Sequence, residues 1–138
     1  MKVVARRREG FTHDVEIEGG HTMVIDEPEN MGGANAGPSP TRTLGAALAA
    51  CTAITCEMYA SRKGWELGEV EVGVEIDYDE ERGSASGFEV TLRVGGALDE
   101  DQRERLLVIA GKCPVHRMIA GETPVEITDR IEPLAPSD

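Results

Sequence analysis

The stretch TLGAALAACTAITCEMYASRKG, residues 43–64, decides the fold. It holds no proline, and Gly45 is its only early break before Gly64. Leu44, Leu48, Cys51, Ile54 and Met58 recur at helical spacing and fall on one face. Arg62 and Lys63 suit the negative end of the helix dipole, and Gly64 is placed to stop it. The first two-thirds is apolar or small on every side, which predicts a helix buried all round rather than laid on a surface. Its alanines let neighbouring backbones approach closely.

Two sulfurs lie in this helix. Cys56 follows Cys51 by five positions, about 140° round the axis, so the two face different sides. An intrahelical disulfide between them is geometrically poor. Cys56 reads as packing, the usual state of a buried cysteine. Cys51 needs a buried cation or hydrogen-bond donor to become a thiolate, because desolvation alone disfavours the charged form. Arg42 stands where the helix begins, roughly 13 Å of helical rise away. Arg6, Arg7 and Arg8 are a second source of positive charge.

The third cysteine lies in GKCPVHRM, residues 111–118. Cys113 directly precedes Pro114, and so occupies the N-cap of a short predicted helix. Unpaired amides and the positive dipole end lower a thiol pKa there. His116 and Arg117 lie within about one helical turn of it.

Outward from these segments, FTHDVEI (11–17) and HTMVI (21–25) alternate as strands about Gly19-Gly20, so the chain opens on a hairpin. Residues 26–40, rich in Gly, Pro and Asn, form a long irregular loop. VEVGVEIDY (70–78) and FEVTLRV (88–94) make a second antiparallel pair. A second helix starts at Asp99, with Gln102 three residues on as in a capping box. PVEITDRI (124–131) reads as a final strand. Strands grouped apart from helices give an α+β class.

The 138 residues fit one domain, residues 1–138. A net charge of −12 and only 4% aromatics argue against nucleic acid and against an anionic membrane surface. Three cysteines make no disulfide framework. The N-terminus lacks a signal-peptide core. Thr43 to Cys56 is shorter than the roughly 18 residues of a membrane span. The expectation is a cytoplasmic protein with reduced thiols. His13, His21 and His116 are scattered, which disfavours zinc, and GGANAG (32–37) is not set between strand and helix as a nucleotide loop is.

Together, DEP (26–28), GPSP (37–40), AALAACTAITCEMYASRKGW (46–65), QRERLLVIAGKCPVHR (102–117) and the late VEI (125–127) resemble the OsmC/Ohr proteins, in their OsmC-like branch. These are thiol-dependent hydroperoxide reductases and their relatives. The resemblance implies an intertwined α+β homodimer with two long helices packed against antiparallel sheets. It implies Cys51 as peroxidatic cysteine and Cys113 as resolving cysteine, joined in a disulfide during turnover. An N-terminal arginine, here Arg8, Arg7 or Arg6, and a glutamate after the GPSP-like loop would assist the thiolate. At the glutamate's position stand Thr41 and Arg42. Either Arg42 itself supplies the cation, or the arginine–glutamate arrangement is lost.

The implied activity is reduction of organic hydroperoxides with an external thiol as reductant, and no metal, flavin or nicotinamide. The alternative is a weakly catalytic or non-catalytic dimer of the same fold that binds a small anionic or acyl ligand.

Overall fold

Pro40, not Thr43, begins the central helix. In the computed structural model, which describes residues 1–136, α1 runs Pro40–Lys63. Ser39 is its N-cap and accepts a hydrogen bond from the Arg42 amide at 3.3 Å, and the Thr43 hydroxyl donates to the Ser39 carbonyl at 2.8 Å. Pro40 at the first position needs no amide partner. Gly64 closes the helix in the left-handed region at φ 71°.

The buried stripe of α1 is Gly45, Leu48, Thr52, Cys56 and Ala60. This corrects the expected face. Leu48 belongs to both, but Leu44, Ile54 and Met58 are exposed. Counting large apolar side chains overlooks what small ones permit. A Cβ on Gly45 would stand 2.8 Å from Ile76 Cδ1, so the bare glycine seats the helix on the strand beneath it without displacing that side chain. Within one chain α1 is therefore covered on one side only, and all-round burial is not found.

Beneath it lie β4 (Val70–Asp79) and β5 (Ser84–Val94), antiparallel, with Val72 opposite Leu92, Val74 opposite Val90 and Ile76 opposite Phe88. α2 (Glu100–Ala110) packs beside α1 and opens with a complete Asp99–Gln102 capping box. Cys56, Ala60, Leu67, Leu98, Leu106, Ile109 and Ala110 form the core between these elements. α3 (Pro114–Ile119) follows and returns the chain to α1. With 24 residues α1 is long and apolar enough to cross a membrane by length and composition alone. On its covered side it packs against β4, β5, α2 and α3.

The chain opens on three strands, not two: β1 (Val3–Glu9), β2 (Thr12–Ile17) and β3 (His21–Ile25) form an antiparallel meander. β1 escapes a hydrophobic-pattern reading because it is an exposed edge built on charge. Arg6 pairs with Glu16 at 2.7 Å, and Arg8 pairs with Asp14. The expected strand at 124–131 is absent. No strand is formed there, and Val125, Ile127 and Ile131 are exposed. Alternation supplies a face, but a strand also needs a neighbouring edge for its amides, and this chain offers the segment none.

The long loop of residues 26–39 is ordered around one carboxylate. Asp26 is buried, and its side chain accepts from the Thr12 hydroxyl at 2.7 Å and from the amides of Glu27, Ala34 and Ala36 at 2.7, 3.3 and 3.1 Å. These donors hold Asp26 below the usual carboxylate range, the Thr12 bond most strongly. The loop doubles back so tightly that a Cβ on Gly37 would stand 2.2 Å from the Val24 carbonyl oxygen. This fold fixes where α1 begins, and hence where its sulfurs lie.

Candidate active site

Two segments far apart in sequence bring the sulfurs together. Cys51 sits half-buried near the middle of α1, and Cys113 is fully buried at the N-cap of α3. The two sulfurs lie near enough for the Cys51 thiol to push the Cys113 pKa up, and all three cysteines are reduced. α3 reaches this position because Gly111 ends α2 and Pro114 starts a new helix three residues later.

The electrostatics of Cys113 differ from the sequence expectation. The amides of Val115 and His116 do favour its thiolate, as an N-cap position requires, but burial outweighs them and the Cys51 thiol adds to the upward push. The Cys113 pKa is raised, not lowered. Sequence spacing located the cap correctly, but the depth of the cap in the fold decides the sign.

Cys56 is a core sulfur. It is fully buried, donates to the Leu106 carbonyl at 3.8 Å, and is pushed up to about 11, chiefly by burial and then by Cys113. Behind it, the Thr52 hydroxyl is also buried and donates back to the Leu48 carbonyl at 2.8 Å.

The arginines lie elsewhere. Arg8 is held by Asp14 through two hydrogen bonds on the exposed meander. Arg6 is held by Glu16. Arg7 points to the opposite face of β1 and forms no ion pair among the described residues. Arg42 leaves α1 two and a half turns before Cys51, which is half a revolution away round the helix axis. Its exposed guanidinium opens into a groove of about 610 Å³, lined also by Glu27, Met31, Ile76, Tyr78 and Glu80. Within one chain, the fold joins Cys51 to Cys113 and joins neither Arg42 nor Arg8 to them.

Sequence reasoning passed over Asp26. The signal was present in DEP at the start of a glycine-rich loop, since a short carboxylate there can gather several loop amides.

Residues 32–128 match the family described as OsmC-like protein. The chain belongs to the OsmC-like family. A Psychrobacter arcticus structure, described as an osmotic stress induced and detoxification response protein, superposes with a TM-score of 0.78 at 16% identity, covering 85% of this chain and 86% of that one. OhrB of Bacillus subtilis, an organic hydroperoxide resistance protein, is similar at 28% identity and a TM-score of 0.59, covering 87% and 90%. A Legionella pneumophila organic hydroperoxide resistance protein, OsmC, shares 22% identity at a TM-score of 0.61, covering 88% and 90%. No curated protein matches the chain. The OsmC-like fold accounts for the α+β class and for the antiparallel sheets around the helices.

Proposed function

We propose that this OsmC-like protein is a thiol peroxidase acting on organic hydroperoxides. The observation that carries the reading is the Cys51–Cys113 thiol pair, assembled from α1 and the N-cap of α3. The Cys51 thiolate attacks the peroxide oxygen, the O–O bond breaks, and the alkoxide takes a proton and leaves as alcohol. Cys51 is then a sulfenic acid. Cys113 condenses with it, expelling water, and an external thiol reduces the resulting disulfide by exchange. Sulfur carries both electrons throughout, so the scheme uses no metal, flavin or nicotinamide. The half-buried setting of Cys51 and the buried setting of Cys113 suit these roles: the first must meet substrate and the second only its partner.

A homodimer is part of this reading. Leu44, Ile54 and Met58 leave the far side of α1 apolar and exposed, and a second copy would cover it. The same second copy is the route by which Arg8, or Arg42 from the other side of its helix, would meet a Cys51. Light scattering at micromolar concentration tests the assembly, and a monomer would count against it.

The decisive experiment is intact mass after treating reduced protein with cumene hydroperoxide. Loss of two hydrogens, absent in Cys51→Ser, supports the scheme; unchanged mass with no peroxide consumed rejects it. The groove beside Arg42 favours a second reading, an OsmC-like dimer that binds an acyl carboxylate. Saturable fatty-acid binding lost in Arg42→Ala, with no peroxide turnover, would establish that one.

A further inference from the structure

Cys113 must shed a proton before its sulfur can attack Cys51, yet it is fully buried. Bulk water does not reach it, so the proton needs an acceptor inside the fold. His116 stands three residues into α3, whose N-cap is Cys113. A side chain at that position characteristically reaches back toward the cap residue. α2 shows the relation completed, since Gln102 accepts from the Asp99 amide at 2.9 Å. In α3 the equivalent target is occupied, because the Cys113 amide donates to the Ala110 carbonyl at 3.3 Å.

The imidazole is left with a buried Nδ1 that has no hydrogen-bond partner among the described residues. An orphaned buried nitrogen is costly, and such atoms call for an explanation. From the elements packed on it the ring meets Leu48 of α1 and Phe88 and Val90 of β5 around a cavity of about 190 Å³, and none of these side chains can donate, accept or titrate. On its own segment the ionisable residues closest in sequence are Cys113, three positions before it, and Arg117, and the His116 amide is one of the two that favour the Cys113 thiolate.

We propose that His116 is the proton acceptor for Cys113 in the step that closes the Cys51–Cys113 disulfide. The imidazole takes the thiol proton as the Cys113 sulfur attacks the Cys51 sulfur. The S–O bond of the sulfenic acid breaks, and the proton passes to the departing hydroxide, giving water. Cys51 sulfur is reduced by the amount that Cys113 sulfur is oxidised, so no further oxidant enters. The physiological setting rests on the peroxidase reading, but the proton transfer does not need a peroxide.

That independence supplies the test. Dithiobis-nitrobenzoate reacts with the half-buried Cys51 and releases one thionitrobenzoate. Attack by Cys113 on the Cys51 sulfur of the mixed disulfide then releases a second, in a separate phase that Cys113→Ser abolishes. The quantity read is the second-phase rate relative to the first. His116→Gln is expected to lower it roughly a hundredfold, the usual scale of general base assistance, and to make it climb with hydroxide. His116→Ala should be slow alone and recover with added imidazole, a rescue that a packing role would not give. An unchanged ratio in His116→Gln, or no second phase in the wild type, overturns the inference. A wild type that closes normally but consumes no cumene hydroperoxide rejects the peroxidase reading and leaves the role of His116 to be judged by the phase ratio.

Discussion

The Thr12 hydroxyl donates to the buried Asp26 carboxylate at 2.7 Å, and this bond ties the N-terminal meander to the loop that launches α1. Among the described residues the meander makes no extensive packing with any helix. The Asp26 knot is therefore one of its few structural links to the segment carrying Cys51.

Asp26 carries a pH prediction. Its folded pKa is depressed, so its contribution is fully present above the unfolded carboxylate value, about 3.9, and is lost as pH falls through the lower folded value. Asp26→Asn keeps the shape but turns a donor toward amides that also donate. The variant should unfold at lower urea than wild type at pH 7. The gap between the two midpoints should narrow below about pH 4, and a gap that is constant from pH 3 to 7 would contradict the assignment.

The same loop predicts a glycine contrast. Alanine at Gly37 would set its Cβ 2.2 Å from the Val24 carbonyl oxygen, backbone against backbone, with nothing flexible to yield. The cost should be about 2 kcal/mol or more. Gly111 has an ordinary helical φ of −69° and its Cβ would meet only the Val108 carbonyl at 3.5 Å. Alanine there should be neutral or stabilise by about 0.5 kcal/mol, through the entropy of the unfolded chain. Paired thermal melts separate these outcomes.

How much of this was legible in the sequence follows from the range of each interaction. Asp99 and Gln102 lie one turn apart, so their capping box could be read directly, as could Pro114 opening α3 and Gly64 closing α1. The face of α1 could not, because Gly45 and Cys56 are buried by what β4 and α2 bring to them. The sign of the Cys113 shift failed for the same reason, since the cap is local and the burial is tertiary. The strand expected at 124–131 failed because its alternation had no edge to meet within the chain. The Cys51–Cys113 pairing came from family resemblance, and only the fold brings the two thiols near enough to influence one another.

The capping box is itself testable. Asp99→Ala removes the acceptor for the Gln102 amide at 2.8 Å and keeps only the return bond from the residue-99 amide to the Gln102 side chain. A loss of about 1 kcal/mol is expected. Because α2 supplies Leu106, Ile109 and Ala110 to the core around Cys56, the loss should appear in global unfolding rather than as local fraying. Coincident circular dichroism and tryptophan fluorescence transitions would show this, Trp65 being the chain's one tryptophan, packed edge-on to Tyr59 against that core.

The core sulfur Cys56 should make stability respond to base. Burial pushes the Cys56 thiol up to about 11, so the fold favours its neutral form. A raised acid pKa means that the folded chain binds more protons than the unfolded chain between about 8.5, the value for a free thiol, and the folded value. Stability should therefore be fully present below that window and fall as pH rises through it. Cys56→Ala removes this component and should flatten the decline, while costing some stability at neutral pH through lost packing. Brief alkylation of native protein at pH 8 should mark the half-buried Cys51 and spare Cys56 and Cys113, both fully buried. Mass spectrometry of the digested protein reads the pattern, and rapid labelling of Cys56 in folded protein would show that this sulfur is not part of the core.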